Sequence, residues 1–357
     1  MTVLTGRTLN RTALARQLLT ERAGLDAVTA VERLAGLQGQ EANSPYLSLW
    51  ARLEGFGQAE LTAALEDRRV VRSSVLRGTQ HLVTAGDFVW MRPLVQPLMA
   101  RIMKGGFGRD LAGVDLDELT ALTRETMAGR TLTRPRLRDE LLVRWPGVAP
   151  IALAYAAQAL VPMIHPPPNG TWNRGGATPF TLAEEWLGRP LSTEPSRAAL
   201  VERYLRAFGP ASVKDVQTWS GLTRLKEVVA GMDLRAYRDE SGRELFDVPD
   251  GELSEVDEVP VRLLPYFDNL IVAYDDRSRL MSAEIRKRVC VGAVIYPTVL
   301  VDGRVRAMWD LVDKRHLRVE TFGVLPGRDK AAVRAEAESM LEFMGLAGGE
   351  VVFAEAS

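Results

Sequence analysis

Two glutamines flanking a glycine, Gln38-Gly39-Gln40, have the residue types and spacing to do chemistry. In a continuous helix, residues two apart face different sides; in an extended turn they project the same way. Gly39 removes the intervening side chain and permits a bend. Two neutral amides aimed at one point can place a water molecule or face a developing positive charge. Amides are not strong bases near neutral pH, so such a site works by positioning more than by proton abstraction. The commoner catalytic patterns are absent from the sequence: no GxxxxGK[ST] loop, no GxGxxG after a strand, no HExxH and no GxSxG. His81, His165 and His316 are too scattered for an obvious metal site. The single cysteine, Cys290, excludes a disulfide framework and argues against a cysteine-based zinc site. No cofactor and no metal are expected.

The elements that must hold the glutamines follow from periodicity. Val28, Val31, Leu34 and Leu37 predict a helix over 27–37. Pro45 suits a first helical position, with Asn43 or Ser44 as its cap. The two glutamines are therefore expected in a helix–helix turn. Further helices are expected near 11–22, 45–53 and 59–66. Two short strand-like runs follow, Val70–Leu76 and His81–Val83, separated by Arg77-Gly78-Thr79. Helices followed by a hairpin read as a winged helix. A long helix is expected over 85–103, ending in the glycine-rich loop or hinge Lys104-Gly105-Gly106-Phe107-Gly108.

The rhythm repeats twice. Helices are expected over 115–127, from a Thr133 cap to 145, and over 151–160; Met163–His165 and Pro179–Leu182 then flank a loop rich in Pro, Asn and Gly. The third block has helices over 197–208, 213–219 and 222–229. Strand-like runs occupy 234–248 and 259–264, several short strands follow, and an amphipathic helix over 331–344 closes the chain. The expected fold class is α+β, with three tandem winged helix-turn-helix units: 1–110, 111–190 and 191–357.

Composition sets outer limits. The chain is 25% charged and 46% hydrophobic, ordinary for a soluble globular protein. No apolar run reaches about 18 residues, so no membrane span is expected. No leader-like start is apparent either. A cytoplasmic, nucleoid-associated location is the expectation. Net charge is −1, but residues 1–110 hold 14 Arg/Lys against 10 Asp/Glu. That local surplus permits a nucleic-acid partner without demanding one.

Leu37-Gln38-Gly39-Gln40, Asn43-Ser44-Pro45-Tyr46 and Leu49-Trp50-Ala51-Arg52-Leu53 together resemble the AlkZ-like winged-helix DNA glycosylase family. So do Leu76-Arg77-Gly78-Thr79-Gln80-His81-Leu82-Val83 and Asp215-Val216-Gln217-Thr218-Trp219-Ser220-Gly221-Leu222. Leu263-Leu264-Pro265-Tyr266-Phe267-Asp268-Asn269 and Pro297-Thr298-Val299-Leu300-Val301-Asp302-Gly303-Arg304 extend the likeness. It implies three winged-helix units forming a C-shaped channel for double-stranded DNA carrying alkylated purines. It also implies excision of cationic N7-alkylguanine by a monomeric enzyme, and unhooking of interstrand cross-links in some members. Gln38 and Gln40 fall on the family's two glutamines. Gly39 stands where the family has an aliphatic residue, a change that would loosen the turn.

Other candidate residues have two readings each. Arg77, Thr79 and His81 share one face if they lie on a strand, and would line the channel; His81 is alternatively a structural histidine. Asn43 is a further candidate DNA contact. Trp172-Asn173-Arg174 on the second wing either presses into a groove, or Trp172 packs back on its own wing. Asp268 and Asn269 either cap a turn or point into the channel. Arg277 and Arg279 are expected at the basic tip of a hairpin spanning 269–281. A non-catalytic winged-helix DNA binder is the alternative function, and a protein-interaction scaffold a third.

Overall fold

The computed structural model describes residues 1–313 and 315–355. It mixes helices with several small sheets. In the first block, helices Ala27–Arg33, Ser44–Trp50 and Gln58–Glu66 pack on a three-stranded antiparallel sheet. Its strand order is Leu37–Gln38, Gln80–Thr84, Val70–Ser74. In the second, helices Leu116–Met127, Arg134–Leu142 and Pro150–Leu160 accompany a sheet ordered Leu132–Thr133, Pro179–Leu182, Met163–Ile164. In the third, helices Arg197–Phe208, Val213–Ser220 and Lys226–Ala230 lead into the hairpin Arg235–Asp239 and Glu244–Asp247. A five-stranded sheet follows, backed by the helix Gly327–Phe343. Its order is Arg262–Leu264, Thr298–Val301, Arg304–Val312, His316–Thr321, Glu350–Glu355.

Local chemistry accounts for most boundaries. Asp26 accepts from the amides of Val28 and Thr29 and so starts its helix. Ser212 and Asp215 form a capping box at the helix Val213–Ser220. Five expectations fail. The helix expected over 27–37 stops at Arg33, because Ala35 and Gly36 both adopt positive φ (59° and 89°). The chain then enters the sheet, so Gln38 sits on a strand and not in a helix–helix turn. The long helix over 85–103 is two helices, Ala85–Leu94 and Gln96–Phe107. Pro97 has no N–H to continue the first, and suits the opening of the second. Gly105 and Gly106 lie inside that second helix and form no hinge. The first helix is Gly6–Arg16 rather than 11–22, capped by the Thr5 hydroxyl.

The N-terminal segment also crosses the expected boundary at residue 110. Strand Thr2–Leu4 pairs in parallel with Arg235–Asp239. The Arg16 guanidinium grips both carboxylate oxygens of Asp247 at 2.7 Å. The Asn10 amide donates to the carbonyls of Arg279 and Gly303. One contiguous buried cluster runs from Ala13 to Val351, so the blocks share a core. Among the described residues, no helix is long and apolar enough to cross a membrane.

Candidate active site at the glutamine strand

Gln38 faces His81 across the sheet register, while Gln40 has left the sheet and is exposed. Between the strands the chain makes a short helical turn, Leu76–Gly78, in which Arg77 has φ +54° and Gly78 φ +70°. A non-glycine residue in this region is uncommon. Here the unusual backbone accompanies an Arg77 side chain that reaches back over the sheet. Its guanidinium donates to Gln38 Oε1 at 2.8 Å and to the Trp219 carbonyl. That carbonyl lies near the C-terminus of the helix Val213–Ser220, where a cation is favoured.

Only the carbonyl side of Gln38 can accept from a guanidinium, so the amide orientation is fixed. Its NH2 group then donates to Gln40 Oε1 at 2.5 Å. Arg77, Gln38 and Gln40 thus form a directed relay running from the interior to the surface. Each glutamine carbonyl keeps a second lone pair for water.

His81 supports the relay and is no general base. Its Nδ1 bonds the Thr79 carbonyl at 2.9 Å, leaving Nε2 to face Arg77 Nη2 at 3.5 Å. Burial, and secondarily Arg77, lower its pKa to about 3. Arg77 is itself lowered to about 10 by burial, then by Arg277, and stays charged near neutrality. Arg77 and Thr79 belong to the turn and not to a strand, which corrects the shared-face reading. Arg77 and His81 still converge on Gln38; the Thr79 hydroxyl turns back to the Leu76 carbonyl.

Arg72 clamps the bend that Gly39 was expected to loosen. Its Nε and Nη2 donate to the Gly39 carbonyl at 2.9 and 2.7 Å, and Nη1 donates to Asn169 Oδ1 at 3.0 Å. The Gly39 amide donates to the Gln80 carbonyl at 2.8 Å. A Cβ on residue 39 would lie 2.6 Å from Leu82 Cδ1, so Leu82 fills the space above the glycine. Sequence reading missed Arg72. The available signal was a charged residue inside the apolar run Val70–Leu76, since a buried charge requires partners.

Several expected DNA contacts are structural. Asp268 is fully buried in a bidentate pair with Arg52, at 2.7 and 2.8 Å, and caps Leu270. The Asn269 amide donates to the carbonyls of Leu34 and Gly36, stabilising the helix end before the glutamine strand. Arg279 is buried, stacked 4.2 Å from the Tyr274 ring centre, and donates to the Pro210 carbonyl. Trp172 packs edge-on to Tyr46 and Phe343, each 5.5 Å away, and so not back on its own wing. The expected hairpin over 269–281 is a short helix, Asn269–Val272, followed by irregular chain. The hairpin lies further on, Cys290–Val291 with Val294–Ile295. Arg277 tethers its base through Cys290 Sγ at 3.2 Å. Asn43 and Asn173 pair side by side, each bond 2.8 Å, bridging the first two blocks beside the glutamines. Arg174 is exposed next to them.

The family model described as "DNA glycosylase AlkZ-like" matches residues 31–343. The chain belongs to this family. It is therefore a DNA glycosylase, a hydrolase of N-glycosyl bonds. It is similar to an interstrand DNA cross-link repair glycosylase of Streptomyces sahachiroi, with 27% identity over 90% of each chain. Its fold is similar to the solved structure of DNA glycosylase AlkZ from that organism. There the TM-score is 0.82 at 22% identity, covering 99% of this chain and 100% of the other.

Two buried neutral histidines of this AlkZ-like chain contribute to its acid sensitivity. Burial, and secondarily Arg72, lower His165 to about 3, as happens at His81. An unfolded histidine titrates near ~6.5, so below that pH the unfolded chain binds more protons. Stability is therefore full above about pH 6.5 and falls as pH drops toward 3. At pH 5 each histidine is expected to remove about 2 kcal/mol. His165→Leu should remove roughly half of this two-histidine contribution. Urea midpoints at pH 7 and pH 5 measure it, and an unchanged slope in the variant would contradict it.

Proposed function

We propose that the protein hydrolyses the N-glycosidic bond of cationic N7-alkylguanine in double-stranded DNA, bulky and cross-linking adducts included. The DNA lies in a C-shaped channel built from three tandem winged helix-turn-helix units. The relay Arg77–Gln38–Gln40, in a chain of the AlkZ-like family, carries this reading.

N7 alkylation makes guanine a cation and a good leaving group, so departure needs no general acid. The sugar becomes oxocarbenium-like, and preorganised dipoles are its natural stabiliser. Gln40 Oε1, exposed and oriented by Gln38, holds the attacking water and turns its negative end to the sugar. Arg77 works through Gln38: it fixes the amide and holds it against rotation. Its own charge is partly balanced by the Trp219 carbonyl. No lysine occurs before Lys104 in the sequence, so a Schiff-base lyase step has no nearby sequence candidate. The product is an abasic site.

The rim supplies DNA contacts: the Asn43–Asn173 bridge and exposed Arg174. The helix Ala283–Val289 presents exposed Arg286 and Lys287 to phosphates. The adjoining hairpin, with exposed Val291 at its strand, is the element that enters a groove to reach cross-linked bases. Monomeric action and a role in self-protection against a genotoxic natural product complete the proposal.

The test is incubation with duplexes carrying N7-methylguanine or a bulkier N7 adduct, followed by alkali. Strand breaks at the adduct are expected, without breaks before alkali. Intact strands across several N7 adducts would refute the substrate assignment. Sequence-selective binding to undamaged DNA with no excision would support the non-catalytic alternative.

A further inference from the structure

We propose that the cleft beginning one residue beyond Gln40 binds the substituent carried on the alkylated base, and favours flat substituents bearing a positive charge. This rests on the glycosylase reading above and names what part of an adduct the protein reads.

The cleft has a volume of about 340 Å³ and is lined by Glu41, Asn173, Pro265, Tyr266, Trp309 and Asp310, among others. That is the size of a ligand site able to take a ring system. A second hollow of about 140 Å³ continues it, shares Tyr266, Trp309 and Asp310, and adds Tyr296. The Tyr266 and Tyr296 rings lie 6.0 Å apart at 49°, a partly open aromatic corner. The Trp309 indole N–H is committed to the Leu264 carbonyl at 2.9 Å, which leaves its ring as an apolar wall. Asn43 and Asn173, joined by two hydrogen bonds, form part of the cleft wall.

The charges decide the occupant. Glu41 and Asp310 are exposed carboxylates that line the same cleft as Tyr266. The cation on this wall, Arg318, sits 3.6 Å from Asp310 with both side chains half-exposed, a weak pair. A phosphate would meet two negative groups here, so the cleft does not track the DNA backbone, which needs basic contacts. A positively charged ring gains from the tyrosine faces and from both carboxylates. The position fits: Glu41, in the cleft lining, follows exposed Gln40 directly, so the cleft lies beside the glutamine turn.

The experiment uses the full chain and duplexes with one N7-guanine adduct on a 2′-fluoroarabino sugar, which resists glycosidic hydrolysis. Two substituents are compared, an aromatic ring bearing a protonated alkylamine and the same group with its amine acetylated. The wild-type protein is expected to bind the amine about tenfold more tightly, the scale of a cation–π contact plus a partly exposed charge. Asp310→Asn and Glu41→Gln should each shrink that ratio, and Tyr266→Leu should weaken both ring adducts. Equal binding of amine and acetylated amine, or a ratio untouched in both acid variants, would overturn the cleft assignment. Excision of N7-methylguanine from ordinary duplex is read separately. Failure to excise it and bulkier N7 adducts, alongside a preserved binding preference, refutes the N7-alkylguanine reading and leaves the cleft standing.

Discussion

Gln38→Ala is expected to lower the single-turnover excision rate about 10²–10³-fold, the scale for losing one preorganised dipole at a charged transition state. Gln40→Ala should cost a similar amount. The informative measurement is the double variant. Gln38 donates to Gln40 at 2.5 Å, so the Gln40 amide is oriented through Gln38, as Gln38 is by Arg77. Residues acting as a unit are non-additive, so the double variant should lose little more than the worse single one. Arg77→Met should lower the rate about 10–100-fold, the range for hydrogen bonds from a charged group. It leaves both glutamines present, so its deficit reports their orientation. Strictly additive losses at 38 and 40, or full activity in Arg77→Met, would show that the relay is a resting arrangement with no part in the reaction.

The second large effect concerns stability. Asp268→Ala is expected to destabilise the fold by about 3–5 kcal/mol, because it leaves the Arg52 guanidinium buried without its counter-charge. Arg52 is fully buried, and its other bonds go to the Gln17 carbonyl at 3.0 Å and to Ser48 at 2.8 and 3.0 Å. Neutral acceptors cannot replace a carboxylate there. A whole domain is stable by only ~5–15 kcal/mol, so a large share would go. Asp268 also caps the short helix Asn269–Val272 through the Leu270 amide, so the support that Asn269 gives Leu34 and Gly36 loosens with it. Removing both charges, as Arg52→Met with Asp268→Leu, should recover much of the loss, since neither is left unpaired. Urea denaturation of the three variants measures this. A cost near 1 kcal/mol for Asp268→Ala would mean that water reaches the pair.

What the sequence determined by itself was local or cumulative. The capped helices at Asp26, Asp115, Ser196 and Ser212 follow from side chains that bond amides two or three residues on. The family was legible because its motifs recur along most of the chain, residues 31–343 of which the family model matches. The tertiary structure decided what those residues touch. Arg52 meets Asp268 across 216 positions, Asn269 reaches Gly36 across 233, and Asn43 finds Asn173 across 130. No window of sequence contains such pairs, so Asp268 and Asn269, which could have pointed into the channel, turned out to be buried ties, while Asn43 and Asn173 form a surface bridge. Gln38 itself changed element for the same reason. The helix pattern over 27–37 was sound to Arg33, but pairing of Leu37 and Gln38 with Leu82 and His81 won the last turn for the sheet. That pairing, with Arg72 on Gly39 and Arg77 on Gln38, holds two amides in place where the sequence showed only a flexible glycine between them.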